Sequence, residues 1–182
     1  MKKTILTIGL AFLIGANLDA FAQVTRFYVD GPKPATLEDL VELSSIIVEA
    51  TVETAYPVVD QPRPLSDFLI RVNRVIKGSL PSNQIAVAQF GGTKPDGRTF
   101  EPGMYALMAP GQRYILFLNI GQTNLPDRGV PRYELSADNY GLVRIEGSQV
   151  VWSKGMPETW KTKYRFQSDN LIAAITAQSR TH

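Results

Sequence analysis

The chain has 182 residues, 44% of them hydrophobic, with 19 basic against 17 acidic residues, a single histidine and no cysteine. Missing cysteine rules out disulfides, thiol chemistry and cysteine-ligated zinc, so stability must come from packing. Nearly balanced charge argues against nucleic-acid binding, which usually needs a basic excess gathered on one face.

Lys2 and Lys3, the apolar run over residues 5–14 and the small residues Ala20 and Ala22 read as a secretory signal peptide over residues 1–22. The run is too short to cross a bilayer, which makes an uncleaved anchor the lesser alternative. Cleavage after Ala22 removes 22 residues, two basic and one acidic among them. It leaves 160 residues starting at Gln23, 17 basic against 16 acidic, a net of +1. The leader has a bacterial look, so the expected location is the periplasm or the medium, with no membrane span in the mature chain. A length of 160 suits one domain.

Residues 23–35 lack periodicity and read as an extended N-terminal arm. A helix is predicted from Thr36, its N-cap, with Asp39 reaching back to it. Leu37, Leu40, Val41 and Ser44 then follow at amphipathic spacing. Glu38, Asp39 and Glu42 are expected as a solvated first turn matched to the helix dipole, not as a metal site. Residues 46–52 are β-branched and read as a strand. Three prolines within residues 56–64 read as a loop.

Phe68, Ile70 and Val72 set a two-residue period that points Arg71 and Asn73 outward. Continued unbroken, that period would send Arg74 into the core and Val75 into water. A bulge near Asn73 and Arg74 is therefore predicted, turning Arg74 out and Val75 in. Arg71, Arg74 and Lys77 become the wet side of a bent strand rather than a binding patch. Residues 84–90 alternate again, with Ile85 and Val87 on one face. Residues 91–103 read as a long loop, with a type I turn at Lys94-Pro95-Asp96-Gly97. Residues 104–108 suggest a short strand and residues 113–118 the most apolar one. A polar loop is expected over residues 121–132. Residues 141–145 and 149–152 flank Glu146-Gly147-Ser148 as a hairpin. Ser168 is expected to cap a short C-terminal helix carrying Leu171, Ile172 and Ile175.

In this layout all twelve prolines fall outside strands, as a missing backbone donor requires in central strands. Short strands with glycine-rich turns and few helices point to a mainly β fold: a small OB-like five-stranded barrel with a short helix at each end, or a β-sandwich. The barrel domain would span residues 36–160, followed by a C-terminal helix and tail over 161–182.

The order of the segments SSIIVEATV, FLIRVNRVIKG, GQRYILFLN and GLVRIEGSQVVW resembles bacterial secreted domains related to the tissue inhibitors of metalloproteinases, which share the netrin-like variant of the OB-fold. The resemblance covers residues 37–152. It implies a partly open five-stranded barrel with a helix packed against it. Protease inhibition is not implied. The animal inhibitors place the amine and carbonyl of an N-terminal cysteine on the protease zinc, whereas here the expected N-terminus is Gln23, which can cyclise and lose its amine.

Chemistry is sparse. The single histidine is His182, the last residue, so a Ser-His-Asp triad has no plausible histidine and a histidine-based metal site has too few ligands. Ser153 beside Lys154, and Lys77 near Ser79, are poor candidates for a Ser-Lys dyad. Asp96, Glu101, Asp127, Glu134 and Asp138 are the carboxylates that paired acid–base work would need. All but Glu134 lie where turns and solubility account for them. Tyr105, Tyr114, Phe117 and Tyr133 could stack bases on an OB-fold, but at alternating positions aromatics more often fill a barrel core. Trp152 and Trp160 suggest either a binding edge or a cover over the barrel. The expectation is a non-catalytic binding module without cofactor or metal, whose partner is a protein or another envelope component. An unrecognised hydrolase and a protease inhibitor are the alternatives. Contact residues are sought at Lys94, Asp96, Arg98, Asp127, Arg128, Trp152 and Trp160, because loops on a rigid barrel commonly carry recognition.

Overall fold

A computed structural model describes residues 24–27, 33–59, 64–102, 106–121, 125–153, 156 and 158–180. The expected signal segment and cleavage site, residues 23 and 28–32 of the arm, Lys154 and His182 lie outside these residues. The elements run β1 (Val24–Phe27), α1 (Leu37–Glu42), β2 (Ile46–Val59), β3 (Leu65–Lys77), β4 (Gln84–Phe90), β5 (Gly92–Thr93), β6 (Thr99–Pro102) and β7 (Arg113–Ile120). They continue with β8 (Arg132–Leu135), a 3-10 turn (Asp138–Gly141), β9 (Leu142–Glu146), β10 (Gln149–Trp152), α2 (Glu158–Lys163) and α3 (Ser168–Gln178). The fold is mainly β, with 44% strand and 20% helix.

Five strands close a barrel. β2 pairs antiparallel with β3 and with β7, and β3 with β4. The ring is completed by β8, parallel to β4 and antiparallel to β7. Numbering the barrel strands one to five along the chain gives the order 1-2-3-5-4-1, the OB arrangement. The expected polar loop ends at Arg132, the first residue of β8, and residues 133–135 carry no strand expectation; the barrel is closed rather than partly open. Four residues flanked by turns give a weak strand signal, and their parallel partner lies more than forty positions away in sequence.

Alternation along these strands builds two cores on opposite faces of one wall. Val48, Ala50, Val52, Phe68, Ile70, Ile85, Val87, Leu116 and Leu118 point into the barrel. Ile47, Ile115, Phe117, Val143 and Ile145 point outward, where α1, α2, α3 and β10 cover them. β7 is therefore apolar at nearly every position because both its faces are buried. One end of the barrel is plugged by residues 106–109. Met108 inserts into the interior core, and Gln89 substitutes for a strand partner by receiving the Met108 N–H (2.9 Å) and donating to Ala106 O (3.3 Å).

Local chemistry accounts for the element ends. Thr36 and Asp39 form the expected capping box on α1. At its other end Lys77 Nζ donates to Val41 O at 2.6 Å, placing a cation on the negative end of the helix. Lys94 O receives the Gly97 N–H at 3.0 Å, and Gly97 has φ +83°, as the predicted turn requires.

Several expectations need correction. Residues 91–103 are not a plain loop, because β5 and β6 form a hairpin whose β6 pairs in parallel with β1 of the arm. Ala106 to Met108 are not strand, and Met104 lies outside the described residues. β2 runs on through Pro57 and β6 ends on Pro102, so two prolines do lie in strands. Pro57 is tolerated because β2 pairs with β7 only as far as Thr51, and its pairing to β3 is irregular between Tyr56 and Val59. α3 has Gln167, not Ser168, at its N-cap, and α2 precedes it across the expected boundary at residue 160.

The bulge is present. Glu49 pairs with Arg74 and Ala50 with Val72, leaving Asn73 unpaired, and a second irregularity follows at Ile76. Val75 is nevertheless 42% exposed. It pairs with the interior residue Val48, but β4 ends its pairing with β3 at Arg71, so nothing stands opposite.

Candidate functional site

The outer face of the β3–β4–β8 wall has a different cover from the helical one. Leu125, in the segment that leads into β8, packs on Leu65 and Ala88 with Phe90 beside them, a core of only a few side chains. What holds the segment down is ionic. Asp67, in the apolar start of β3, faces outward because Phe68 faces in, and its side chain is 0% exposed. Arg132 reaches it with a fork, Nη1 to Oδ1 at 2.6 Å and Nη2 to Oδ2 at 3.2 Å, while Nη2 also donates to Pro126 O at 2.8 Å. Arg128 Nε donates to Oδ2 at 2.9 Å, and its guanidinium lies 3.7 Å from the centroid of the Tyr56 ring. Tyr56 is opposite Asp67 in the β2–β3 ladder, which brings the ring to the same face.

A carboxylate buried without partners would be very costly, and two charge-assisted arginines offset that cost here. The arginine side chains are 13% exposed at Arg132 and 21% at Arg128, so the knot is dry at the carboxylate and wet at its rim. Neighbouring bonds stiffen the wall. Ser66 Oγ donates to Gly91 O at 2.8 Å, and the Gly91 N–H donates to Pro64 O. Asp127 Oδ1 receives the Gly129 N–H at 2.9 Å, closing a local turn around Arg128.

Of the residues sought as contacts, only Arg128 enters this cluster. Lys94, Asp96 and Arg98 sit at the tip of the β5–β6 hairpin, where Lys94 Nζ lies 5.2 Å from the Phe100 centroid. There Arg98 bonds the Asp96 carboxylate through its Nε and its backbone N–H, and these bonds hold its pKa below the usual carboxylate range. Trp152 and Trp160 are core residues, 8% and 4% exposed, and present no edge to a partner. They pack edge-to-face in a cluster with Tyr140 and Tyr164. Their indole nitrogens donate to Tyr164 O and Ala35 O.

Asp67, Arg132 and Tyr56 were missed in the sequence. The available signal was an aspartate inside the apolar run Leu65–Ile70, since a charge there demands partners, and two arginines stood in the polar segment downstream.

The carboxylates weighed for catalysis are dispersed. Glu134 is exposed on β8, and Asp127 is exposed in its turn. Asp138 is half-buried at the start of the 3-10 turn, and burial pushes its pKa up. Ala137 and Asp138 both adopt left-handed backbone, φ 51° and 48°, beside Ser136, whose buried hydroxyl makes no hydrogen bond among the described residues. No base stands against that hydroxyl there, so the turn has strain without an activated nucleophile. An open hollow near α1 is lined by Lys33, Asp39 and Glu42, but the Asp39 carboxylate already accepts from Ala35 and Thr36. Among the described residues no three potential metal ligands cluster, and no helix is long and apolar enough to cross a membrane. The chain matches no protein-family model and no curated protein.

Proposed function

We propose that this chain is an exported, non-catalytic binding module that recognises a protein or another envelope component through the face built on Asp67, Arg128 and Arg132. One observation carries the reading: the surface turn Pro126-Asp127-Arg128-Gly129 is fixed to a rigid barrel wall by a buried ionic knot and by Leu125 beneath it. A segment already ordered before encounter loses little further freedom on binding, which favours recognition. The leader-like residues 1–22 support export to the periplasm or medium, with cleavage after Ala22. The OB strand order is what kinship with the netrin-like domains requires, and it supports the resemblance to that extent. A hydrolase reading would have to rest on a carboxyl such as Asp138, half-buried, whose raised pKa has burial and no charged neighbour as its cause among the described residues. An inhibitor reading rests on the N-terminal arm.

The test is crosslinking of the tagged protein in its native envelope, with identification of what is captured. A specific partner, lost when Arg128 is replaced, is the expected result. Turnover of a substrate by the purified protein, abolished by one carboxylate substitution that leaves it folded, would sink the proposal.

A further inference from the structure

The ionic knot is not balanced. One carboxylate, that of Asp67, faces two guanidiniums, which leaves a surplus of one positive charge at a site where the anion is fully buried. The two arginines are used differently. Arg132 spends both terminal nitrogens on Asp67 and Pro126. Arg128 spends only Nε, and its two terminal nitrogens make no hydrogen bond among the described residues. Its guanidinium carbon lies 3.7 Å from the centroid of the Tyr56 ring, which backs it, and the side chain keeps 21% of its surface exposed. Pinning the segment accounts for Nε and the stacked face. It does not account for two donors left without a partner among the described residues at the rim. The acidic residues on the same segments do not fill that position. Asp127 bonds Gly129, and Glu134 is an exposed residue that forms no ion pair among the described residues.

We infer that the terminal edge of Arg128, backed by Tyr56 and next to Arg132, is a subsite for a carboxylate presented by an acidic peptide segment of the partner. This rests on the binding-module reading and gives its partner a chemistry. A planar carboxylate matches the two parallel donors of a guanidinium, and a single negative charge brings the two-arginine cluster to balance. A phosphate dianion would overshoot that balance. A lysine could supply the charge but neither the fork nor the stack, so the site should distinguish Arg128 from Lys at that position.

The experiment is an NMR titration of the protein, following the Nε–H resonance of Arg128. Acetylated, amidated triglutamate is added, with the triglutamine analogue and inorganic phosphate as parallel arms. A saturable shift with triglutamate, absent with triglutamine and weaker with phosphate, is expected. Arg128→Gln should weaken binding by about tenfold or more, the loss of a charge-assisted bond, and Arg128→Lys should recover it only in part. Both variants are checked for folding by near-ultraviolet circular dichroism. If either fails to fold, the wild-type titration arms still decide. Equal shifts from triglutamine, a stronger response to phosphate, or unchanged binding in Arg128→Gln would each overturn the subsite. A partner captured equally well by the Arg128→Gln protein, with no peptide effect, would remove the subsite and leave the binding module standing. Saturable peptide binding without any captured partner would do the reverse.

Discussion

The barrel has two covered outer walls, and they are held by different physics. Over β2, β7 and β9 the cover is helical and apolar, closed by the Trp152, Trp160 and Tyr164 cluster. Over β3, β4 and β8 it is a short segment held by a few apolar side chains and one buried carboxylate between two arginines. Apolar contact has no direction and cannot be lifted without opening the core. An ionic knot is directional, and it displays polar groups at its rim while holding its segment in place. That contrast is why recognition is assigned to the second wall.

The largest effect is expected on the first wall. Trp160→Ala should cost roughly 3–5 kcal/mol, read as a shift in urea unfolding, because it empties the middle of an aromatic core. Asp67→Asn should follow at roughly 3 kcal/mol, the low end for a broken buried pair, since both guanidiniums still reach water. Part of the second loss should vanish at high salt, which screens the two arginines from each other, while the first should not. Equal salt responses would erase the distinction between the walls. Arg128→Gln should cost about 1–2 kcal/mol. Its mark should be local, as faster hydrogen exchange over residues 125–131 with the helical wall unchanged.

Asp138→Asn supplies the smallest effect and a pH test at the 3-10 turn beside the helical wall. Burial raises the folded-state pKa of Asp138 above the ordinary aspartate value of 3.8, so the folded protein disfavours the charged form. The wild type therefore gains stability from this group as pH falls through the raised pKa, and the gain is complete below 3.8. Asparagine has no charge to desolvate and suits the left-handed backbone. The variant should melt higher than wild type at neutral pH. That margin should shrink on acidification to the remnant due to backbone preference, and a margin independent of pH would show that burial of the charge is not the cause.

Much of the fold was legible where local chemistry decides it. The capping box at Thr36 and Asp39, the β9–β10 hairpin and the Asn73 bulge each follow from a few neighbouring residues. What escaped depends on distant partners. β8 is recognisable as a strand only once β4 and β7 stand on either side of it. Val75 was assigned to the interior by the bulge that resets the phase of β3, but burial also needs an opposite wall, and the β3–β4 ladder ends at Arg71. The site escaped for the same reason. Arg128 was noted for its place in a polar segment, while Asp67 acquires a role only when residues sixty positions away fold over it.

β7 belongs to both cores at once, with Tyr114, Leu116 and Leu118 inside the barrel and Ile115 and Phe117 under the helices. Neither core can therefore assemble first and wait for the other, because each lacks its central strand until β7 is seated. The chain should unfold in a single cooperative step, with tryptophan fluorescence from the helical wall and far-ultraviolet dichroism from the barrel following one curve. Reaching that state means closing β2 onto a strand nearly seventy residues away, so folding should be slow for a domain of this size.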